Sequence, residues 1–331
     1  MLTSGKLPPQ PRPLTEVDVT TEVELELTNR CSAACVACPR DDMPAFGLMA
    51  PDTLDRILGL YEVAAADRSD MSWIARRVTL AGGGDPLLHP SAPALIERIS
   101  QRGFSVHLIT NAAAATDDRI EQLMNSGLTS IAVSFWGIEE REYEHSMKLP
   151  FERTLRKVER LADRARDHEI PLTITWVRAP TVTSTRDEIG SFWAARGIAV
   201  DTSDNEMWNR GGLLQLGPTV PSDELLLPDP RRGVWCADLF LSDTWSWDGL
   251  CLMCCCNYFT TERTNIGNVD RDSYTTIKQR KREILNARPL PSMCQQCLQP
   301  RRKQANWLAQ PVRSRLSEEE WQMLAYASPD A

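Results

Sequence analysis

The sequence predicts an α/β protein: a partial, open (β/α)6 barrel followed by a small cysteine-rich segment with a β-hairpin and a C-terminal helix. Three observations predict it. Short apolar and β-branched runs recur at residues 22–28, 77–81, 105–110, 130–135, 172–178 and 198–203, each about one strand long. Helix-type patterns fill the gaps between them. The ten cysteines fall into two groups, three between Cys31 and Cys38 and seven between Cys236 and Cys297.

In chain order, Pro8, Pro9, Pro11 and Pro13 lack amide donors and resist helix, so residues 1–18 read as an extended arm. Val23-Glu24-Leu25-Glu26-Leu27 alternates apolar and acidic side chains, the period of a strand. Helices are expected near 51–66, 91–102, 116–126, 151–168 and 186–196. Strands alternating with helices pair in parallel through right-handed crossovers. Six units are too few to close an eight-stranded barrel, so residues 19–215 are expected to form an open one. Periodicity alone does not separate this from a flat doubly wound sheet. Pro218, Pro221, Pro228 and Pro230 mark a linker into a cysteine-rich module over 216–310, where Trp247-Asp248-Gly249-Leu250-Cys251 reads as a hairpin. Ser317-Glu318-Glu319-Glu320 is a capping box that opens a helix within 311–331.

Composition excludes several classes. With 42% hydrophobic and 25% charged residues the chain has an ordinary globular balance. A formal charge of −8 argues against a nucleic-acid partner. No apolar run approaches the ~20 residues of a membrane span, and Met1 to Lys6 hold no apolar signal core. Ten cysteines without such a signal point to the reducing cytoplasm, and to metal or redox work rather than disulfides.

Cys31, Cys35 and Cys38 stand at the spacing C-x3-C-x2-C directly after the first strand, where barrels of this kind place their catalytic groups. Three soft thiolates suit a [4Fe–4S] cube and leave one iron without a protein ligand. Zinc would need a fourth ligand close by, and none follows. Strand two ends in Gly82-Gly83-Gly84-Asp85, where bare backbone lets a ligand approach closely and Asp85 offers an acceptor for an ammonium group. Strand three ends in Thr110-Asn111, strand four in Ser134 and strand five in Arg178. Arginine suits a carboxylate, although a plain surface role for Arg178 fits the sequence equally well.

The cysteine spacing in the loop after the first strand resembles the radical S-adenosylmethionine (SAM) enzymes, and the resemblance spans about residues 20–300. It implies that Cys31, Cys35 and Cys38 hold a [4Fe–4S] cluster whose open iron chelates SAM. An electron from an external flavodoxin- or ferredoxin-type reductant then cleaves SAM to a 5′-deoxyadenosyl radical, which abstracts hydrogen from an unactivated C–H bond. Gly82, Gly83, Gly84 and Asp85 stand where the family has a Gly-Gly-Glu grip on the SAM amino group. Asn111 resembles the family's Thr-Asn-Gly turn, and Ser134 and Arg178 are candidate partners of the SAM ribose or carboxylate. Ala37 departs from the pattern, since many members have an aromatic residue before the third cysteine.

The second cysteine group resembles the SPASM/Twitch auxiliary-cluster domains. Cys236, Gly249 and Cys254 reproduce their C-x(9–15)-G-x4-C opening, Asn265-Ile266-Gly267-Asn268 follows, and Cys294-x2-Cys297 closes the set. No cysteine follows Cys297, which implies the Twitch form with one further [4Fe–4S] cluster on Cys236, Cys254, Cys294 and Cys297. Zinc on the same four thiolates is the alternative.

Cys251, Cys255 and Cys256 are then left over. An S–H bond is weaker than most C–H bonds, so a spare thiol can return hydrogen to a carbon radical from the opposite face and invert it, as resemblance to sugar and peptide epimerases implies. Cys255 leads, ahead of Cys256 and Cys251. Strand alternation would place it opposite Cys254 and Cys256, and a structural role for it is the alternative. Without a donor the radical would give a ketone, as the similarity to aminocyclitol dehydrogenases implies, with His145, Glu142 or Glu144 as base. The acidic balance suits an aminated sugar. Peptide-modifying relatives often carry a leader-binding domain, which the short arm cannot be. The reading is therefore epimerisation of a sugar or aminoglycoside at a carbinol C–H first, with dehydrogenation or peptide modification as alternatives. A non-catalytic zinc-binding or peptide-recruiting module is the competing class, and it would not need an iron left open.

Overall fold

The computed structural model describes residues 19–40, 43–66, 73–74, 76–201, 207, 209–214, 234–236, 239, 241–260, 265–287, 289–297 and 302–304. The expected arm, the proline linker, the 215/216 boundary and the C-terminal helix lie outside these residues.

The chain runs β1 (Val19–Thr20), β2 (Glu22–Leu25), α1 (Pro51–Ala66), β3 (Trp73–Ile74), β4 (Arg77–Leu80), α2 (Ala92–Gln101), β5 (Ser105–Thr110) and α3 (Asp117–Met124). It continues through β6 (Ser130–Ser134), α4 (Glu140–Met147), α5 (Phe151–Asp167), β7 (Leu172–Thr175), α6 (Arg186–Ala194) and β8 (Ala199–Val200). After these come β9 (Val234–Cys236), β10 (Ser242–Trp245), β11 (Leu250–Leu252), β12 (Asn265–Asn268), α7 (Tyr274–Asn286), α8 (Ser292–Gln296) and β13 (Arg302–Gln304).

One nine-stranded sheet carries the fold, in the order β12-β11-β10-β2-β4-β5-β6-β7-β8. The six expected strands are β2, β4, β5, β6, β7 and β8, paired in parallel with Val23 opposite Val78, Val78 opposite Val106, Leu108 opposite Ile131 and Val133 opposite Ile174. Among the described residues the two edges, β8 and β12, do not pair with each other, and the sheet is open. Alternation divides its faces. Val23, Leu25 and Leu27 are buried, as are Leu54, Ile57 and Leu58 of α1 and Ile96 and Ile99 of α2. On the other face of β2 stand Glu22, Glu24 and Glu26. Thr79 donates to Glu22 there.

Helix α4 is the element that periodicity does not announce. Glu140, Arg141, Glu142, Glu144 and His145 leave it without a broad apolar stripe. It forms because Tyr143 and Met147 bury against the core, and Lys148 ends it with φ 57°.

The cysteine-rich hairpin is built onto the same sheet. β10 pairs in parallel with β2, from Ser242 opposite Glu22 to Trp245 opposite Leu25, and β11 and β12 continue it antiparallel. A buried polar knot fixes this junction. Asp243 accepts from Lys281 Nζ at 2.7 Å, Lys278 Nζ at 3.2 Å, Thr20 Oγ1 at 2.8 Å and the Tyr61 hydroxyl at 3.2 Å. Trp245 Nε1 donates to the Tyr61 hydroxyl at 2.7 Å. The knot thus ties β10 to β1, α1 and α7. No helix among the described residues is long and apolar enough to cross a membrane.

Candidate functional site

The chain leaves β2 into a loop at the C-terminal edge of the sheet, and polar contacts hold that loop in shape. Thr28 Oγ1 donates to Gly47 O at 2.7 Å, Asn29 Nδ2 to Ala45 O at 3.0 Å, and Asn29 Oδ1 accepts from Gly47 N at 2.9 Å. The last turn of α4 supports it from beside, with Ala34 N donating to Met147 O at 3.3 Å and Val36 N to Ser146 O at 2.9 Å. Cys31, Cys35 and Cys38 are half-buried on this loop.

The three sulfurs feel one another. Burial, then the proximity of Cys38 and Cys31, pushes the Cys35 thiol well up, and burial pushes Cys38 up to about 11. Cys31 is raised by burial and by Asp85. Arg40 opposes all three shifts. Its Nη2 donates to Asn29 O at 3.0 Å, whereas its buried Nη1 meets no partner among the described residues. Thiols that burial keeps protonated give up their protons to solvent when they bind a metal. Three soft donors beside an orphaned cationic N–H are the complement of an anionic iron–sulfur group, so these residues fit one.

The glycine turn after β4 locks against this loop. A Cβ on Gly84 would stand 2.3 Å from Arg30 O and 2.4 Å from Thr28 O, and Asp85 N donates to Arg30 O at 2.7 Å. Gly82 has φ +142°, which favours glycine. Asp85 is a shaping group here. It accepts from Leu87 N at 2.9 Å, from Thr110 Oγ1 at 2.9 and 3.0 Å, and from Asn111 N at 2.8 Å. An ammonium grip by Asp85 would share oxygens that these donors already occupy. Asn111 Oδ1 accepts from Ala113 N at 2.9 Å, and its Nδ2 donates to Cys31 Sγ at 3.5 Å. Ser134 ends β6 half-buried, and Arg178 is exposed after β7. The structure thus brings Cys31, Gly84, Asp85 and Asn111 together, with Ser134 at the end of β6 and Arg178 beyond the end of β7, further along the sheet.

The second cysteine group begins at the end of β11. Leu252 joins Tyr258 and Phe259 in an apolar cluster against which Cys38, Met43, Leu213, Leu250 and Cys255 pack. Cys251 belongs to the opposite, helix-covered face, fully buried among neighbours that include Lys281 and Asp243, and burial pushes its thiol up to about 12. Strand alternation therefore removes Cys251 from the side of the sheet that faces Cys38, which corrects its candidacy as hydrogen donor. From Cys255 to Phe259 the backbone is a 3₁₀ turn, so the alternation expected for Cys254, Cys255 and Cys256 does not apply.

Cys256 is buried, and its thiol shares hydrogen bonds with Cys254, Cys255 and Cys297, which raise it well above the ordinary range. The geometry therefore groups two expected auxiliary ligands, Cys254 and Cys297, with Cys255 and Cys256, which the sequence left as spares. Cys294 lies in α8 with its thiol on Met253 Sδ at 3.9 Å, and Cys236 ends β9, half-buried against the core. Asn257 is wholly buried beside this group, with an unpartnered Nδ2. Soft donors and an orphaned N–H fit an iron–sulfur group here as well. Among the described residues, no three His, Cys, Asp or Glu side chains are placed to hold a single metal ion.

Residues 25–188, from β2 into α6, match the model of the radical SAM superfamily. The chain carries a radical SAM domain. Such a domain implies SAM and one [4Fe–4S] cluster. PqqA peptide cyclase of Xanthomonas euvesicatoria pv. vesicatoria is 27% identical over 212 residues, covering 62% of this chain and 52% of that protein. AdoMet-dependent heme synthase of Methanosarcina barkeri is 27% identical over 165 residues, covering 48% and 44%. The chain thus spans about half the length, or less, of the curated relatives it matches. Among solved structures, BtrN in complex with AdoMet and 2-DOIA superposes with a TM-score of 0.56 at 17% identity, covering 86% of this chain and 94% of that one. Streptococcus suis SuiB bound to precursor peptide SuiA gives 0.59 at 12% identity, covering 87% and 71%. These structural likenesses are of fold.

Beside the radical SAM site, the structure reassigns one candidate base. Glu142 accepts from Thr183 N at 2.8 Å, Ser184 N at 2.7 Å, Ser184 Oγ at 2.6 Å and the Thr183 hydroxyl. Against the upward push of burial, these bonds from Ser184 and Thr183 hold its carboxyl at about 2. A group so acidic is a poor base near neutral pH; it is a clamp between α4 and the loop before α6. Glu144 and His145 are exposed.

Sequence reasoning missed Glu26. It is 1% exposed, accepts from Gly83 N at 2.9 Å through Oε1 and from Trp247 N at 3.4 Å through Oε2, and so links the glycine turn to the hairpin. Its signal was present in the alternation of β2, whose acidic face has to point into the barrel once both faces are covered.

Proposed function

We propose that the protein is a Twitch-type radical SAM enzyme that abstracts hydrogen from a carbinol C–H of an aminated sugar or aminoglycoside and inverts that carbon. In this reading Cys31, Cys35 and Cys38 hold the first cluster, Gly82, Gly83, Gly84, Asn111, Ser134 and Arg178 contact SAM, and Asp85 shapes the turn that carries the glycines. Cys236, Cys254, Cys294 and Cys297, within a module over 216–310, hold the second. When bound, these groups supply a 5′-deoxyadenosyl radical and a store for one electron.

The observation that carries the reading is the position of Cys255. It is half-buried and packs on the same apolar cluster as Cys38 while also meeting the Cys256 thiol, whereas Cys251 lies on the far face and Cys256 is buried between Cys254, Cys255 and Cys297. The deoxyadenosyl radical would take the substrate hydrogen and leave a carbon radical for Cys255 to meet. The Cys255 S–H then breaks, and its hydrogen goes to the opposite face of the substrate carbon. One electron and one proton, drawn from an external one-electron reductant and solvent, restore the thiol.

The test is turnover in D2O with candidate aminoglycosides. The product should carry one deuterium at the inverted carbon, and Cys255→Ala should still cleave SAM but give no epimer. Unchanged epimer yield in that variant would remove Cys255 from the role. Ketone formation ranks second, since Glu142 is engaged as a clamp. A peptide substrate is supported instead by the likeness to PqqA peptide cyclase and to SuiB bound to a precursor peptide; deuterium in a peptide, and none in sugars, would favour it.

A further inference from the structure

Asn257 is wholly buried and stands three residues after Cys254. Cys254 caps the 3₁₀ turn in extended backbone, and the Asn257 side chain reaches back to its sulfur. Its backbone N–H donates to Cys254 O at 3.0 Å, and its Oδ1 accepts from the Cys254 thiol at 3.9 Å. The other end of the carboxamide, Nδ2, is buried and meets no partner among the described residues. Buried amide donors are nearly always satisfied, and an orphan asks for an acceptor that is missing.

The two ends of the carboxamide have the same shape and opposite roles. While Cys254 is a thiol, Oδ1 is a suitable neighbour for it. Once Cys254 is a metal-bound thiolate it can only accept, and a half-turn of the amide brings Nδ2 to it. The same chemistry is already visible at the first cysteine group, where Asn111 Nδ2 donates to Cys31 Sγ at 3.5 Å.

We propose that Asn257 is the hydrogen-bond donor to the Cys254 sulfur of an auxiliary iron–sulfur cluster, and that this bond raises the cluster's reduction potential. The inference rests on the auxiliary-cluster reading above. A donor to sulfur stabilises the more negative, reduced state, and hydrogen bonds to the sulfurs are among the levers that set such potentials. Asn257 is a positioning and tuning residue in this account, since it acts through Cys254.

The experiment uses full-length protein in which Cys31, Cys35 and Cys38 are all replaced by Ala, so that any cluster is the auxiliary one. Iron is counted after anaerobic reconstitution, and the potential is read by titration with EPR of the reduced state. About four irons per chain, with a more negative potential in Asn257→Leu, is the expected result. About four irons with an unmoved potential overturns the inference and leaves the auxiliary cluster standing. No iron in the three-cysteine variant overturns the cluster reading itself, and the inference with it. If Asn257→Leu fails to retain iron, asparagine labelled with ¹⁵N at the side chain decides in the parent variant. A ¹⁵N coupling at the reduced cluster is expected, and its absence overturns the assignment.

Discussion

Gly84 lies so close to the backbone of Arg30 that a Cβ built on it would stand 2.3 Å from the Arg30 carbonyl oxygen. Backbone cannot yield as a side chain can, so this contact fixes the distance between the glycine turn and the cysteine loop. Gly84→Ala should lower stability by about 1–3 kcal/mol through overpacking, and it should reduce the iron retained after reconstitution. Gly190→Ala, in α6 with nothing within 4 Å of the new methyl, is the control. It should raise the melting temperature slightly, by about 0.5–1 kcal/mol of helix preference. Equal iron content in the two variants would show that the contact does not set the site.

Glu26 joins Gly83 N and Trp247 N through its two oxygens. Glu26→Ala leaves these N–H groups without their acceptor in a buried place, at a cost of about 1–3 kcal/mol each where the bond was good. Glu26→Gln keeps one acceptor. Melting temperature should therefore fall in the order wild type, Gln, Ala, and SAM affinity measured by calorimetry should fall with it. A SAM affinity that stays constant while stability falls would confine Glu26 to the fold.

Much of this was legible in the sequence, and the reasons are local. The parallel strands announce themselves through short apolar and β-branched runs, as in Val106, Leu108 and Ile109 of β5, and through the strict alternation of β2. Cys31, Cys35 and Cys38 were legible because a short spacing forces three side chains into one loop. What escaped depends on partners distant in sequence. Nothing in Ser242–Trp245 foretells that it will pair with Glu22–Leu25, some 220 residues earlier. Glu142 looked like a base until Thr183 and Ser184 closed on it. Cys256 looked like a spare until Cys297 folded back beside it.

The knot around Asp243 makes a pH prediction. One carboxylate faces two ammonium groups, all of them buried. Lys278 is pushed down to about 8 by burial, while its two buried ammonium neighbours hold the Asp243 carboxyl well below the usual range despite burial. A depressed carboxyl contributes stability above its unfolded pKa of about 4, lost as pH falls below it. For the lysine, the unfolded chain binds more protons between pH 8 and about 10.5, so stability on its account rises across that window. Asp243→Asn should cost about 3–5 kcal/mol by leaving two buried charges unpaired, and should flatten the acid limb of a urea-denaturation series. Lys278→Met leaves one charge against one charge and should cost less. A milder Asp243→Asn than Lys278→Met would contradict this account of the junction.

Cys251 and Cys255 sit four residues apart, yet on opposite sides of the sheet, and their chemistry should divide accordingly. Cys251 is fully buried, and its thiol is pushed up to about 12. At pH 8 almost none of it is thiolate, and reagent cannot reach it, so iodoacetamide should leave Cys251 unlabelled in the folded protein and label it only with denaturant. Cys251→Ala removes little more than one buried methylene's worth of packing, about 1 kcal/mol. On the proposed epimerase reading it should lower the melting point modestly and leave SAM cleavage and inversion in place, whereas Cys255→Ala should abolish inversion at unchanged stability. Loss of inversion in a folded, iron-loaded Cys251→Ala protein would mean that hydrogen returns from the helix-covered face, where Cys251 is fully buried.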